Sequence, residues 1–149
     1  MGSSQSRVTR RSAGQLEVSL AGEVTEQAVA EAEADARAQL SVARPGSVAV
    51  LVDLSGLATC SLAARDAVVS LQRALGGKVR QTAYVADTAV GRGVSLWVRH
   101  TVDDQVIKAV SSRDDAQAWL AAEAGPTTGV RPVVRSRRLT PLKTRKAAG

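Results

Sequence analysis

The most restrictive feature of this chain is the seven-residue run Val48-Ala-Val-Leu-Val-Asp-Leu54, apolar at odd and even positions alike except for Asp53. Successive side chains of a strand point to opposite faces, so such a run suits a central strand covered on at least one face of its sheet, or on both. Turn signals bound it, Pro45-Gly46 before and Ser55-Gly56 after, which keeps it to strand length. A strand of this kind needs helices packed on the sheet.

The flanking sequence supplies them. Gln15 to Leu20 alternates polar with apolar as a half-buried strand does. Thr25 is placed to cap a helix whose Val29, Ala32, Ala36 and Leu40 share one face, ended by Pro45-Gly46. After the central run, Ser61 is placed to cap a second helix with Ala64, Val68, Leu71 and Leu75 inward, closed by Gly76-Gly77. Val79 to Ala86 reads as a second buried strand. Thr88 or the glycines after it open a third helix with Val90, Val94, Trp97 and Val98 inward. Gln105 to Val110 forms a short strand, and Ser112 caps a last helix with Asp114 and Asp115 in its first turn, where the helix dipole favours acids. The pattern predicts an α/β fold with a mostly parallel sheet of about four to five strands and about four helices. With no Phe and 2% aromatic residues, the core must come from Ala, Val and Leu, and Trp97 and Trp119 are expected inside it.

The ends of the chain lack such patterning. Residues 1–14 read as a flexible arm, residues 15–124 as the domain, and residues 125–149 as a disordered basic tail. The formal net charge is +6, yet Arg7, Arg10 and Arg11 with Arg131, Arg135, Arg137, Arg138, Lys143, Arg145 and Lys146 are ten cations with no acid among them. The stretch between therefore carries a net −4, and the positive charge is a property of the ends. One cysteine, Cys60, excludes an intramolecular disulfide, and one histidine, His100, removes most metal sites and triads. No apolar run is long enough to span a bilayer, no signal peptide opens the chain, and a cytoplasmic protein is expected. Met1-Gly-Ser-Ser-Gln-Ser6 fits an N-myristoylation pattern as well as an ordinary polar arm.

Several segments resemble one family in order and spacing. Leu20-Ala-Gly-Glu-Val-Thr25 is similar to the turn after the first strand of STAS domains, the fold of anti-sigma-factor antagonists. Val50-Leu-Val-Asp-Leu-Ser-Gly-Leu57 resembles the family's central strand and following turn, and Gln81-Thr-Ala-Tyr-Val-Ala86 with Asp115-Ala-Gln-Ala-Trp-Leu120 resembles the closing half of its SpoIIAA-like, STAS/SEC14-like branch. The resemblance covers about residues 15 to 122 and implies a bacterial, non-enzymatic regulatory module that binds a protein partner. STAS antagonists accept phosphate on a serine at the start of the helix after the central strand. Counted from Asp53 that slot falls here on Leu62 or Ala63, and only a shift of one or two residues brings in Ser61.

In open α/β sheets the strand ends and the starts of the following helices form the usual crevice. Asp53, Ser55, Thr59, Ser61, Asp87 and Arg92 are expected near it, as a partner-docking patch or small polar site with Ser61 a possible phosphoacceptor. The structural alternative is that Ser61 caps its helix, Asp53 holds the turn and Arg92 pairs with a neighbouring acid. Gly91-Arg-Gly93 lacks the remaining glycine and the Gly-Lys-Ser/Thr ending of phosphate loops. Cys60 has no second sulfur and no cation beside it in sequence to activate it. No catalytic group, cofactor or metal site is expected. The tail cations would be attracted to a polyanion, nucleic acid or acidic protein, without aromatic residues to read bases. Two rival functions stand beside the regulatory one: a nucleic-acid-associated protein binding through the tail, and a carrier of a small apolar or lipid-like ligand, which a cavity beneath the third helix would favour.

Overall fold

All six residues of the strand Val48–Asp53 are buried, and their two parities divide the molecule into layers. In the computed structural model, which describes residues 4–12 and 14–124, the elements are β1 (Ser4–Ser12), β2 (Gln15–Val24), α1 (Glu26–Leu40), β3 (Val48–Asp53), β4 (Leu57–Cys60), α2 (Leu62–Leu75), β5 (Val79–Val85), α3 (Ala89–Thr101), β6 (Ile107–Val110) and α4 (Arg113–Ala124). Val48, Val50, Val52 and the following Leu54 join the larger core with α1, α2 and α3; Ala49 and Leu51 join a smaller one with Ala116 and Leu120 of α4. Of the two readings left open, cover on one face or on both, the structure shows cover on both. Each fully buried Val or Leu contributes about 1.5–3 kcal/mol, so this strand anchors the fold.

The sheet order is β1-β2-β3-β5-β6. β3 runs parallel to β2 and β5, and β6 parallel to β5. β4, which sequence patterning did not reveal, pairs with the C-terminal part of β2 beyond β3, with Gly22 opposite Leu57 and Val24 opposite Cys60. Between the two lies a tight turn: Leu57 donates to the Leu54 carbonyl and Gly22 to the Gly56 carbonyl. A side chain at position 56 would place its Cβ 3.0 Å from the Ala21 Cβ, which explains the glycine of Leu54-Ser-Gly.

The flexible arm expected over residues 1–14 requires correction where it is described, because residues 4–12 form β1. This strand is antiparallel to β2, from Ser4 opposite Gly22 to Arg10 opposite Leu16. Without β1, the ten residues of β2 would leave a long row of backbone groups unpaired at the sheet edge. Val8 packs against the core, and the Arg10 guanidinium donates to the Gln39 carbonyl of α1 at 3.0 Å. One apolar residue among three arginines offered no periodic signal. The expected tail, residues 125–149, lies outside the described residues.

Beneath α2 the core holds its one fully buried aromatic, Tyr84, with a polar network built for it. The Tyr84 hydroxyl donates to Gln72 Oε1 at 2.7 Å, and Gln72 Nε2 donates to Thr82 Oγ1 at 3.1 Å and Gln105 Oε1 at 2.8 Å. A buried hydroxyl without a partner would cost about 1–3 kcal/mol. The glutamine therefore binds α2, β5 and the segment leading into β6 to one another.

Candidate partner-docking site

The C-terminal ends of β3 and β5 meet the starts of α2 and α3 on one side of the sheet and the start of α4 on the other, and the predicted crevice residues divide between them. Asp53 faces α4. Its Oδ1 accepts from the Ser55 amide at 2.9 Å and hydroxyl at 2.6 Å, and its Oδ2 accepts from Arg113 Nη1 at 2.6 Å. Burial pushes the Asp53 carboxyl up, but the hydrogen bonds from Ser55 and the hydrogen bond and charge of Arg113 outweigh it, so the group sits below the ordinary carboxylate range. Asp53 thus holds the turn and fastens α4.

Arg113 was not singled out in the sequence. Its Nη1 and Nη2 also reach Glu17 of β2 at 2.6 and 2.7 Å in a bidentate pair, and Arg11 of β1 stands 3.4 Å from the same carboxylate. The hydrogen bonds and charges of Glu17 and Asp53 hold the Arg113 guanidinium proton more tightly than usual. The period-2 pattern of β2 puts Glu17 on the face of Asp53, but nothing local couples either to a residue 60 or 96 positions away.

The opposite side carries Ser61, Thr59, Asp87 and Arg92. Ser61 is exposed and caps α2, its Oγ accepting from the Ala64 amide at 3.1 Å. Thr88 caps α3 in the same way through the Gly91 amide. Gly91 lets α3 close on the end of β3, since a Cβ there would stand 3.3 Å from the Ala86 Cβ and 3.4 Å from the Leu54 carbonyl. Ser55, Thr59, Asp87 and Arg92 are exposed. Arg92 Nη1 donates to the backbone carbonyl of Asp87 at 3.2 Å; the acid pairing expected for it is replaced by this local brace. Burial raises the Cys60 thiol pKa and outweighs the opposing charge of Arg65, a cation one turn into α2 that sequence adjacency did not reveal. Among the described residues no group of three or more His, Cys, Asp or Glu is placed to hold a metal.

Trp97 and Val90 were expected in the core and are not. Val94 and Val98 are buried while Trp97 is 37% and Val90 36% exposed. An α3 seated at the rim of the sheet buries only the stripe of Gly91, Val94, Ser95 and Val98, and the neighbouring stripe faces outward. The Arg65 guanidinium lies over the Trp97 ring, 4.5 Å from its centroid, a cation–π contact that ties α2 to α3 at the surface. Leu62 at the start of α2 and Leu96 of α3 are more exposed still. Of six exposed large apolar residues described, four, Leu62, Val90, Leu96 and Trp97, lie on these two elements.

Comparison with known proteins agrees with this architecture. A protein of the DUF3478 family with a SpoIIAA-like fold from Shewanella loihica PV-4 superposes with a TM-score of 0.61 at 16% identity, over 81% of this chain and 96% of its own. The anti-sigma factor antagonist SpoIIAA in its unphosphorylated form gives 0.58 at 14% identity over 78% and 96%, and the Bacillus cell fate determinant SpoIIAA in its phosphorylated form gives 0.57 at 14% over 78% and 100%. At such identities these likenesses establish the STAS fold. No curated protein matches the sequence. The SpoIIAA-like family model matches residues 15–121, from β2 to within three residues of the end of α4, and on that match and this fold the chain belongs to the SpoIIAA-like family.

Proposed function

We propose that this domain is a STAS-type regulatory interaction module that binds a protein partner on the face formed by the start of α2 and by α3. The observation that carries the reading is the exposure of Leu62, Val90, Leu96 and Trp97 on those two elements. Aromatic and apolar side chains on a rigid helical face, with arginine at hand, are what interface centres are made of. Arg65, whose guanidinium lies over the Trp97 ring, adds a cation to this surface that would fix register and orientation. SpoIIAA, whose fold this chain shares, is an anti-sigma factor antagonist and was solved with and without phosphate. Ser61 is the exposed hydroxyl at the corresponding helix start, and a phosphate there would meet the dipole and free amides of α2. Its capping bond serves the fold with or without that modification.

The tail cations Arg131, Arg135, Arg137, Arg138, Lys143, Arg145 and Lys146, outside the described residues, fit an auxiliary electrostatic anchor on an acidic partner or polyanion. The carrier reading draws no support beneath α3, where Val94, Val98 and Val102 are packed into the core. The test is affinity capture from native cells with the full chain, the double variant Leu62→Asp/Leu96→Asp, and a chain ending at Gly129. Both substituted residues are exposed, so the fold survives. Loss of a captured protein with the double variant alone supports the helical face; loss only with the shortened chain transfers binding to the tail and refutes the reading.

A further inference from the structure

Two glycines lie inside α3, and the fold accounts for one of them. Gly91 is buried, and a Cβ there would press on Ala86, Thr88 and the Leu54 carbonyl. Gly93 is exposed, its φ lies outside the left-handed region, and a Cβ there would meet no atom within 4 Å. A glycine in a helix interior lowers the folding equilibrium constant roughly two- to fivefold relative to alanine. Nothing among the described residues requires that loss at position 93. Residues three and four places away on a helix are surface neighbours. For Gly93 these are Ala89, Val90, Leu96 and Trp97, all apolar and all exposed. The glycine is therefore the floor of a notch with apolar walls, and the Trp97 ring, which lies 4.5 Å from the Arg65 guanidinium, does not fill it.

We propose that Gly93 is the point of closest approach on the docking face: a protein partner seats one large apolar side chain in the notch between Val90 and Trp97 and brings a carboxylate to Arg65. This rests on the reading of α2 and α3 as a docking surface and names what that surface takes. A methyl group at position 93 would favour the helix, and its absence lets another chain come closer to the α3 backbone than any other residue would allow. The energetic centres of interfaces are pockets of this kind, filled by an anchor side chain of the partner. The chemistry of the second contact follows from Arg65. Its Nε is buried without a hydrogen-bond partner, and among the described residues no carboxylate forms an ion pair with it. A guanidinium held over an aromatic ring keeps its edge donors for a partner, and a carboxylate matches their fork. Leu62, three residues before Arg65 on the surface of α2, adds exposed apolar area beside it.

The experiment pans a library of random fifteen-residue peptides on the immobilised full chain and keeps those that the double variant Leu62→Asp/Leu96→Asp fails to bind. The peptides kept should combine a large apolar residue with an acidic one. Their affinity should fall about fivefold or more with Gly93→Ala, because a methyl group forced into a filled notch overpacks it. Arg65→Met should weaken them about tenfold or more, and Arg65→Lys, which keeps the charge and loses the fork, should weaken them less. Urea unfolding separates docking from folding, since Gly93→Ala should raise the midpoint of the domain while it weakens binding. A Gly93→Ala chain that unfolds at lower urea or binds the kept peptides unchanged, or kept peptides that lack an acid or ignore Arg65→Met, would each overturn the proposal and leave the docking face in place. A library from which every selected peptide binds the double variant equally well would overturn the docking face itself, and the proposal with it.

Discussion

Replacing Arg113 by methionine removes the charge that holds two carboxylates while keeping most of the methylene packing. Glu17 and Asp53 side chains are only 11% and 12% exposed and meet the guanidinium at 2.6 Å, while Arg113 itself is 38% exposed. Breaking a fully buried pair by deleting one partner costs about 3–5 kcal/mol. The partial exposure of Arg113, and Arg11 standing 3.4 Å from Glu17, lower this to about 2–3 kcal/mol near neutral pH, within the same reasoning. For a domain of this size that is a fall of roughly 8–12 °C in Tm, readable by circular dichroism. The pH dependence has a definite sign. The Asp53 carboxyl is held below its ordinary range in the folded protein, so its contribution is present above the unfolded pKa and is lost as pH falls through the folded one. In the variant the Asp53 carboxylate, without its Arg113 partner, gains a proton more readily, which relieves the penalty in acid. The gap between the two proteins should therefore be smaller in acid, below the ordinary aspartate pKa of about 3.9, than at neutral pH, and close only as pH falls through the lowered folded value. A loss under about 0.5 kcal/mol at neutral pH, the range of an ordinary surface pair, would refute the clamp, as would a gap that is the same at both pH values.

Ser61→Ala should destabilise the domain by about 1 kcal/mol in urea unfolding, the usual worth of an N-cap, whereas Ser61→Asp should keep the wild-type midpoint; equal losses in both would show that the hydroxyl is not capping α2. If the tail from Arg131 to Lys146 engages about five duplex phosphates, the logarithm of the binding constant should fall against log salt with a slope of roughly −4 to −5, and replacing Arg135, Arg137 and Arg138 together should flatten it by about 3. Duplex binding that is equally strong in a chain ending at Gly129 would remove the tail from nucleic-acid binding.

Much of the scaffold was legible locally because its signals are local. The run from Val48 to Leu54 could be satisfied only by cover on the sheet's faces, and Thr25, Ser61, Thr88 and Ser112 each found the amide three residues on, because a cap is a contact within one turn. The crevice was legible in position and not in composition. Period-2 alternation sends Asp53 toward α4 and its even-numbered neighbours toward α2 and α3, so residues adjacent in sequence stand on opposite sides of the sheet.

What the amino-acid order determined by itself is the alternation of strands and helices, the central strand, the helix starts, and hence the α/β class. What only the tertiary structure decided depends on partners far along the chain. Residues 4–12 become a strand because β2 offers an unpaired edge; Arg113 becomes a clamp because β2, β3 and α4 converge on it; and Trp97 turns outward because α3 sits at the rim of the sheet and buries a narrower stripe than its apolar residues allow. Periodicity records which residues are able to be buried, and the packing of whole elements determines how many of them are.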